Sequence, residues 1–125
     1  MATWQEMSLE CLQVAKRSLD DGCFRRSVSS SYYAAYSAVT GLLVARRVAF
    51  AHGWNNPAHE QVPDLVLNNL SLPRNTRYQI NRALRRLRME RENADYRPRI
   101  EITRSTAVNS VRDALIIINL LEEHK

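Results

Sequence analysis

Glycine and proline are scarce, three and four in 125 residues. That leaves little room for hairpin turns, Gly-rich phosphate loops or collagen-like repeats. Cysteine is scarcer still. Cys11 and Cys23 have no partner motif and no secretory leader precedes them, so the expected compartment is reducing and cytoplasmic. Lysine is almost missing: 16 of the 18 basic residues are Arg. Arg is the weakly hydrated, forked donor suited to phosphate and carboxylate, and a surface built only for solubility would not need this bias. No strand pattern, internal repeat or low-complexity tract is visible. What is there is ordinary globular composition, 45% apolar and 25% charged, which excludes a disordered tail. The length fits one domain, residues 1–125.

Charge is absent from one long stretch. Ser27 to Ala45 is 19 uncharged residues, close to membrane-spanning length. Ser27, Ser29, Ser30, Ser31, Ser37, Thr40 and three tyrosines put too many hydroxyls there for a lipid-facing helix. Arg25 and Arg26 on one side and Arg46 and Arg47 on the other give no orientation bias. The stretch reads as a buried helix of a soluble bundle, and no membrane partner is expected.

Helical periodicity runs almost end to end. Thr3 followed by Glu6 is a capping-box signature, with Trp4, Met7, Cys11 and Val14 marking one face. Asp20-Asp21-Gly22 ends that helix. A second helix starts near Phe24, with Val28, Tyr32, Ala35, Val39 and Leu42 as its seam and Ser29, Tyr33, Tyr36, Thr40 and Leu43 as a more polar stripe beside it. Ala51 to Pro57 is a loop, and a short helix over Ala58 to Asn69 is restarted or kinked by Pro63. Ser71 is the expected N-cap, with Pro73 in the first turn, of a long helix to about Ala94 with seam Ile80, Leu84, Leu87, Arg91 and Ala94. Thr103 opens a last helix with seam Ala107, Val111, Ala114, Ile118 and Leu121. Ile116, Ile117 and Leu120 widen that stripe, so this helix is buried on two sides or pairs with another subunit. The expected fold is all-α: an antiparallel up-and-down bundle of four long helices and one short one.

Positive charge is concentrated. Nine Arg and three acids between Arg74 and Arg99 give a local charge of +6, against −1 for the rest of the chain. This is the footprint of phosphate backbones or an acidic partner, with Arg82, Arg85, Arg88 and Arg97 as nucleic-acid contacts; a solvated helix face is the plainer alternative. Arg91 falls on the apolar seam, so its guanidinium points inward or into a cleft, and Asp95 one turn later can pair with it. Arg46 takes the corresponding place on the second helix. Tyr33 and Tyr36 share the polar stripe, either packing with satisfied hydroxyls or lining a cleft near Arg91. Arg46 and His52 are assigned to the same cleft. Arg46 and Arg47 precede His52 at spacings that Arg frequency alone would produce, but His52 and His59 flank the polar loop and could face one cleft, which keeps both as alternative catalytic candidates. Two His without Cys or carboxylates at ligand spacing make no metal site, and no cofactor is expected.

Two segments carry a resemblance. Ser31-Tyr32-Tyr33-Ala34-Ala35-Tyr36, on a helix after an Asp-Gly turn, and Arg91-Glu92-Asn93-Ala94-Asp95-Tyr96, closing a later helix, resemble the HEPN domain superfamily. The closer likeness is to a bacterial branch with S-x-Y-Y-A-A and R-x-x-A-D-Y motifs. The resemblance implies an all-α bundle that dimerises. Many relatives are metal-independent RNases of toxin or defence systems, often encoded beside a small nucleotidyltransferase. Catalytic relatives carry Arg, a polar residue, then a His a few positions later. Here Arg91 and Glu92 match, but Tyr96 stands where the His would be, and no later His occurs before His124. RNA cleavage without metal needs a group exchanging protons near neutrality, and neither Asp nor Tyr is well suited to that. The resemblance therefore implies Arg91, Asp95 and Tyr96 as the catalytic candidates, with the usual Arg–His pair not intact. In related toxins a Tyr near the catalytic His is modified by the partner nucleotidyltransferase, and the resemblance leaves open whether Tyr96 plays that part.

The resulting expectation is a HEPN-like homodimer that binds RNA or a nucleotide and acts with a partner protein, of nucleotidyltransferase type, in a toxin–antitoxin or defence-type system. An active metal-independent endoribonuclease toxin and a purely structural protein-interaction module are the alternatives. The dimer follows from the limited area so small a bundle buries alone.

Overall fold

The computed structural model describes residues 1–124. Five α-helices follow one another: α1 (Trp4–Asp20), α2 (Phe24–Ala45), α3 (Val62–Asn69), α4 (Arg74–Tyr96) and α5 (Arg104–Glu123), with single 3₁₀ turns at Ala51–Gly53 and His59–Gln61. The bundle is all-α, four long helices and one short. No strand occurs among the described residues, and no described helix is long and apolar enough to cross a membrane.

Capping follows local chemistry. Thr3 Oγ1 accepts from the Glu6 amide at 3.0 Å, and Thr103 Oγ1 accepts from the Thr106 amide at 3.3 Å. The α1–α2 turn is closed by Gly22 at φ +76°, where a side chain would be strained. Two starts differ from the sequence expectation. The short helix begins at Val62 rather than Ala58, because Pro63 sits in its first turn, where the missing N–H costs nothing. Ser71 does not cap α4. Leu70 and Leu72 are buried and draw that segment out of helix, so Pro73 becomes the N-cap, and Arg77 donates to the carbonyls of Leu72 (3.0 Å) and Leu67 (2.6 Å).

Successive long helices run antiparallel. Ser8 Oγ donates to the Ala34 carbonyl at 2.7 Å and Ser27 Oγ to the Ala15 carbonyl at 2.8 Å, pairing opposite ends of α1 and α2. Ser29 on α2 likewise meets Asp95 at the far end of α4. The diagonal pair α2 and α5 is parallel: Arg104 lies over Phe24 at their starts, and Leu42 and Ala45 face Ile118 and Leu121 near their ends. Helix α2 thus packs against all four other helices. Its seam and its neighbouring stripe are both largely buried, including Tyr36, Thr40 and Leu43. The main core joins Tyr32, Val39, Val66, Leu84, Leu87 and Ile117, drawn from four helices. A smaller cluster of Val28, Ala94, Ile102 and Ala107 closes the far end beneath the α4–α5 turn.

The buried face of α1 is Ser8, Leu12, Ala15 and Ser18, not the Trp4–Met7–Cys11–Val14 seam; Met7 is exposed. The cause is the close approach of α1 and α2. A Cβ on Gly41 would lie 3.0 Å from Trp4 Cβ, and at such separations small and hydroxyl residues that bond the facing backbone replace bulky ones. In α5 the core steps from Ala114 to Ile117 and Leu121, leaving Ile118 half-buried at a groove.

Candidate functional site

Because α2 and α4 run antiparallel, Tyr33 on α2 meets the last turns of α4, and Arg91 is built into that junction. Its Nε donates to Asp95 Oδ2 at 3.1 Å; its Nη2 donates to the hydroxyls of Tyr33 at 2.7 Å and Tyr96 at 3.1 Å. The guanidinium carbon lies 5.2 Å from the ring centres of Tyr33 and Tyr96 and 5.6 Å from that of Tyr32. Ser29 Oγ donates to the same Asp95 oxygen at 3.2 Å. The Arg91 side chain is only 11% exposed, yet its Nη1 has no hydrogen-bond partner among the described residues. Burial opposes its charge, but Tyr33, Tyr96 and Asp95 outweigh that and hold its pKa above the ordinary value. The result is a permanently charged, pre-positioned guanidinium with one donor edge free.

A histidine stands against the same rings. Tyr36, itself buried, donates to the Pro57 carbonyl at 2.7 Å and accepts from Asn56 Nδ2 at 3.0 Å, tying the α2–α3 loop to α2. His59 follows, with its ring centre 4.6 Å from Tyr36, 5.5 Å from Tyr32 and 5.9 Å from Tyr33. Its Nδ1 is 2.6 Å from the Tyr32 hydroxyl. Burial raises the Tyr32 pKa, Tyr36 and Tyr33 add to this, and Arg91 and Arg88 only partly oppose it, so the phenol keeps its proton. Tyr32 is buried and its hydroxyl has no other acceptor among the described residues, so it donates, Nδ1 accepts, and the neutral imidazole carries its hydrogen on Nε2. That Nε2 has no partner among the described residues. Burial, then Arg91 and Arg88, lower the His59 pKa; Glu60 pulls the other way.

The two residues assigned with Tyr33 and Tyr36 to the cleft lie elsewhere. His52 does not join the cluster: the chain leaves α2 through left-handed Arg47 (φ 59°) and turns again at His52 (φ 57°), which stacks on exposed Trp54 at 5.1 Å. Arg46 is exposed at the other end of α2 and lines a separate groove with Gln5, Ile118 and Glu122. Tyr36 serves as the loop anchor, and the open side of the corner is left to Tyr33 and His59.

The Arg stripe on α4 is broken up by partners. Arg85 pairs with Asp64 at 3.2 Å and donates to Asn81 Oδ1 at 3.0 Å. Arg86 forms a two-pronged pair with Asp113 of α5 at 3.0 and 2.9 Å. Arg88 pairs with Glu92 at 3.2 Å, and Arg97 donates to Asn93 Oδ1 at 2.9 Å. Arg82 is exposed, makes no ion pair among the described residues, and lines a hollow with Arg74 and Tyr78. Arg85 and Arg88 line a second hollow of about 250 Å³ with Glu60, Pro63, Met89 and Glu92, one residue from His59.

Sequence reasoning passes over one supporting residue. Arg25 donates from Nη1 to the carbonyls of Asn93 (3.2 Å), Ala94 (2.9 Å) and Arg97 (3.3 Å), and from Nη2 to those of Pro98 (3.2 Å) and Ile100. It caps the C-terminus of α4, the turn that carries Asp95 and Tyr96, and no sequence pattern distinguishes it from its neighbour Arg26. Among the described residues no group of three or more His, Cys, Asp or Glu is placed to hold a metal ion.

Comparison with known families matches the chain to the HEPN domain over residues 1–124. No curated protein matches the chain.

Proposed function

Since the chain belongs to the HEPN domain family, we propose that it binds RNA or a nucleotide by gripping phosphate at the Arg91 corner. In this reading it works as a homodimer with a partner protein of nucleotidyltransferase type, in a toxin–antitoxin or defence-type system. The observation that carries the reading is the free Nη1 of Arg91, on a guanidinium fixed by Asp95, Tyr33 and Tyr96. Holding a charged group in place before the ligand arrives removes the ordering cost that a surface side chain would meet on binding. Arg85 and Arg88, beside the corner, are the nearest additional phosphate contacts; Arg82 and Arg97 extend the surface along α4.

The test is RNA binding by Arg91→Lys, followed by fluorescence anisotropy at low salt. Lysine keeps the charge but cannot serve Asp95, two phenols and a phosphate together. We expect at least tenfold weaker binding, about 1.4 kcal/mol, with the fold retained by circular dichroism. Undiminished binding by a folded Arg91→Lys refutes the reading.

One observation favours a second reading, cleavage of RNA. His59 brings to the Arg91 corner the proton-exchanging group that the α4 motif lacks. Cleavage resistant to chelators and abolished by both Arg91→Ala and His59→Ala supports it; binding without cleavage leaves the first reading alone.

A further inference from the structure

Two side chains at this corner each keep one donor in reserve. Arg91 spends Nε and Nη2 on Asp95, Tyr33 and Tyr96 and leaves Nη1. His59 spends Nδ1 on Tyr32 and leaves Nε2–H. Both stand against Tyr32 and Tyr33: the guanidinium carbon at 5.6 and 5.2 Å, the imidazole at 5.5 and 5.9 Å. The rings wall off water on that side, which strengthens any charge-assisted hydrogen bond formed there.

We propose that Arg91 and His59 form a two-donor clamp for a single phosphodiester, with Arg91 Nη1 and His59 Nε2–H as its donors. The proposal rests on the phosphate-binding reading above and adds its second anchor, a residue outside both HEPN-like motifs. Phosphate suits the corner better than carboxylate. With only one Nη free, Arg91 cannot offer the side-by-side fork that a planar carboxylate takes. The two reserved donors come from different elements, α4 and the α2–α3 loop. The diverging oxygens of a tetrahedral phosphoryl group can meet both.

Binding at such a clamp takes up a proton. In the free protein, burial and the charges of Arg91 and Arg88 on α4 keep His59 neutral, with Glu60 in its own turn opposing them. The other titratable groups facing it are the hydroxyls of Tyr32, Tyr33 and Tyr36 on α2. A bound phosphodiester anion offsets the field of the two arginines, so the imidazole becomes easier to protonate. Protonated His59 still donates from Nε2, while its Nδ1–H now donates to Tyr32, whose hydroxyl turns from donor to acceptor. The diester itself does not titrate near neutrality, so any pH dependence belongs to the protein.

The experiment is calorimetric binding of a short 2′-O-methyl oligouridine, which lacks the free hydroxyl needed for cleavage, at about pH 6 and about pH 8. Two buffers of different ionisation heat count the protons taken up. Wild type is expected to bind several-fold more tightly at the lower pH, short of the limit reached only well below the free-protein pKa of His59, with net proton uptake. His59→Gln keeps an amide donor near the Nε2 position but cannot titrate; its affinity is expected to match at both pH values, with no proton uptake. His59→Ala, lacking the donor, is expected to bind more weakly than the Gln variant at both. Wild-type binding that is tight but without proton uptake, or an unchanged pH dependence in His59→Gln, overturns the clamp and leaves the Arg91 reading standing. Absence of wild-type binding at both pH values overturns both.

Discussion

Arg25 holds the end of α4 that carries the site, and replacing it tests whether that end depends on a single side chain. The last carbonyls of a helix have no intrahelical partner, and a cation there also complements the helix dipole. Arg25 serves the Ala94 carbonyl, which has no backbone partner, and the Asn93 carbonyl, which also accepts from the Arg97 amide, in partly buried bonds, and three further carbonyls of the α4–α5 turn at the surface. Water can replace the three surface bonds at little cost. The two partly buried ones, taken at the low end for charge-assisted bonds, are worth about 1.5 kcal/mol each. Arg25→Ala should therefore cost about 3 kcal/mol and lower Tm by about 12 °C for a domain of this size. Arg25→Lys should recover less than half of that, because a compact ammonium cannot span carbonyls as far apart as those of Asn93 and Ile100. Urea and thermal unfolding followed by circular dichroism measure both. Hydrogen exchange supplies a local readout. The amides of Arg97 and Ile100, which donate to Asn93 and Arg97, should lose protection in Arg25→Ala before those of mid-α4. A loss below about 1 kcal/mol in Arg25→Ala, with protection of that turn intact, would refute the argument.

Two other substitutions separate structure from binding. Arg82→Ala is expected to reduce the salt slope of RNA binding by about 0.7–0.9 with no change in Tm, whereas Arg86→Ala, which breaks the two-pronged tie to Asp113, should lower stability by about 1 kcal/mol and leave the slope alone. Equal slopes in the two variants would count against this division. His59 makes stability depend on pH. Its folded pKa lies below the ordinary 6.5, so the unfolded chain binds more protons; its contribution is full above about 6.5 and is lost as pH falls toward the folded pKa. Tm should drop over that window less steeply in His59→Gln than in wild type, and parallel curves would refute the assignment.

The helices are legible in the sequence because most of their signals are local: a Thr3–Glu6 cap, an Asp-Gly turn, Pro63 and Pro73 near helix starts. Packing is less so. Large apolar residues in α1 point to the Trp4–Met7 face, but closeness to α2 is decided by Gly41 and by Ser8 and Ser27, residues that hydrophobic periodicity discounts. The Arg91–Asp95 pair is legible because both lie on one helix, one turn apart. His59 is not distinguished from His52, because what separates them is non-local. Tyr36 reaches across 21 residues to the Pro57 carbonyl, and that tie draws in only the second histidine. Arg46 looks equivalent to Arg91 in helical register, yet register along one helix says nothing about which end its antiparallel neighbour covers. The Arg stripe reads as continuous because Asp64 and Asp113, which answer two of its charges, lie on α3 and α5.

The histidine at this corner is held by α2 and not by α4. Asp95 and Tyr96 occupy Nε and Nη2 of Arg91 from its own helix, and Tyr33 shares Nη2 from α2. The histidine beside Tyr32 and Tyr33 comes instead from the α2–α3 loop. A loop ordinarily holds a side chain less firmly than a helix does. Here two hydrogen bonds at the Tyr36 hydroxyl, from Asn56 and to Pro57, fix the backbone two residues before His59, and the Tyr32 hydroxyl fixes its tautomer. The tyrosines of the Ser31–Tyr36 segment thus have distinct positions in the corner: Tyr36 anchors the loop, Tyr32 orients the imidazole, and Tyr33 orients Arg91. The order of the two motifs along the chain matters less to this corner than the antiparallel pairing of α2 with α4, which brings the three phenols and the guanidinium to one place.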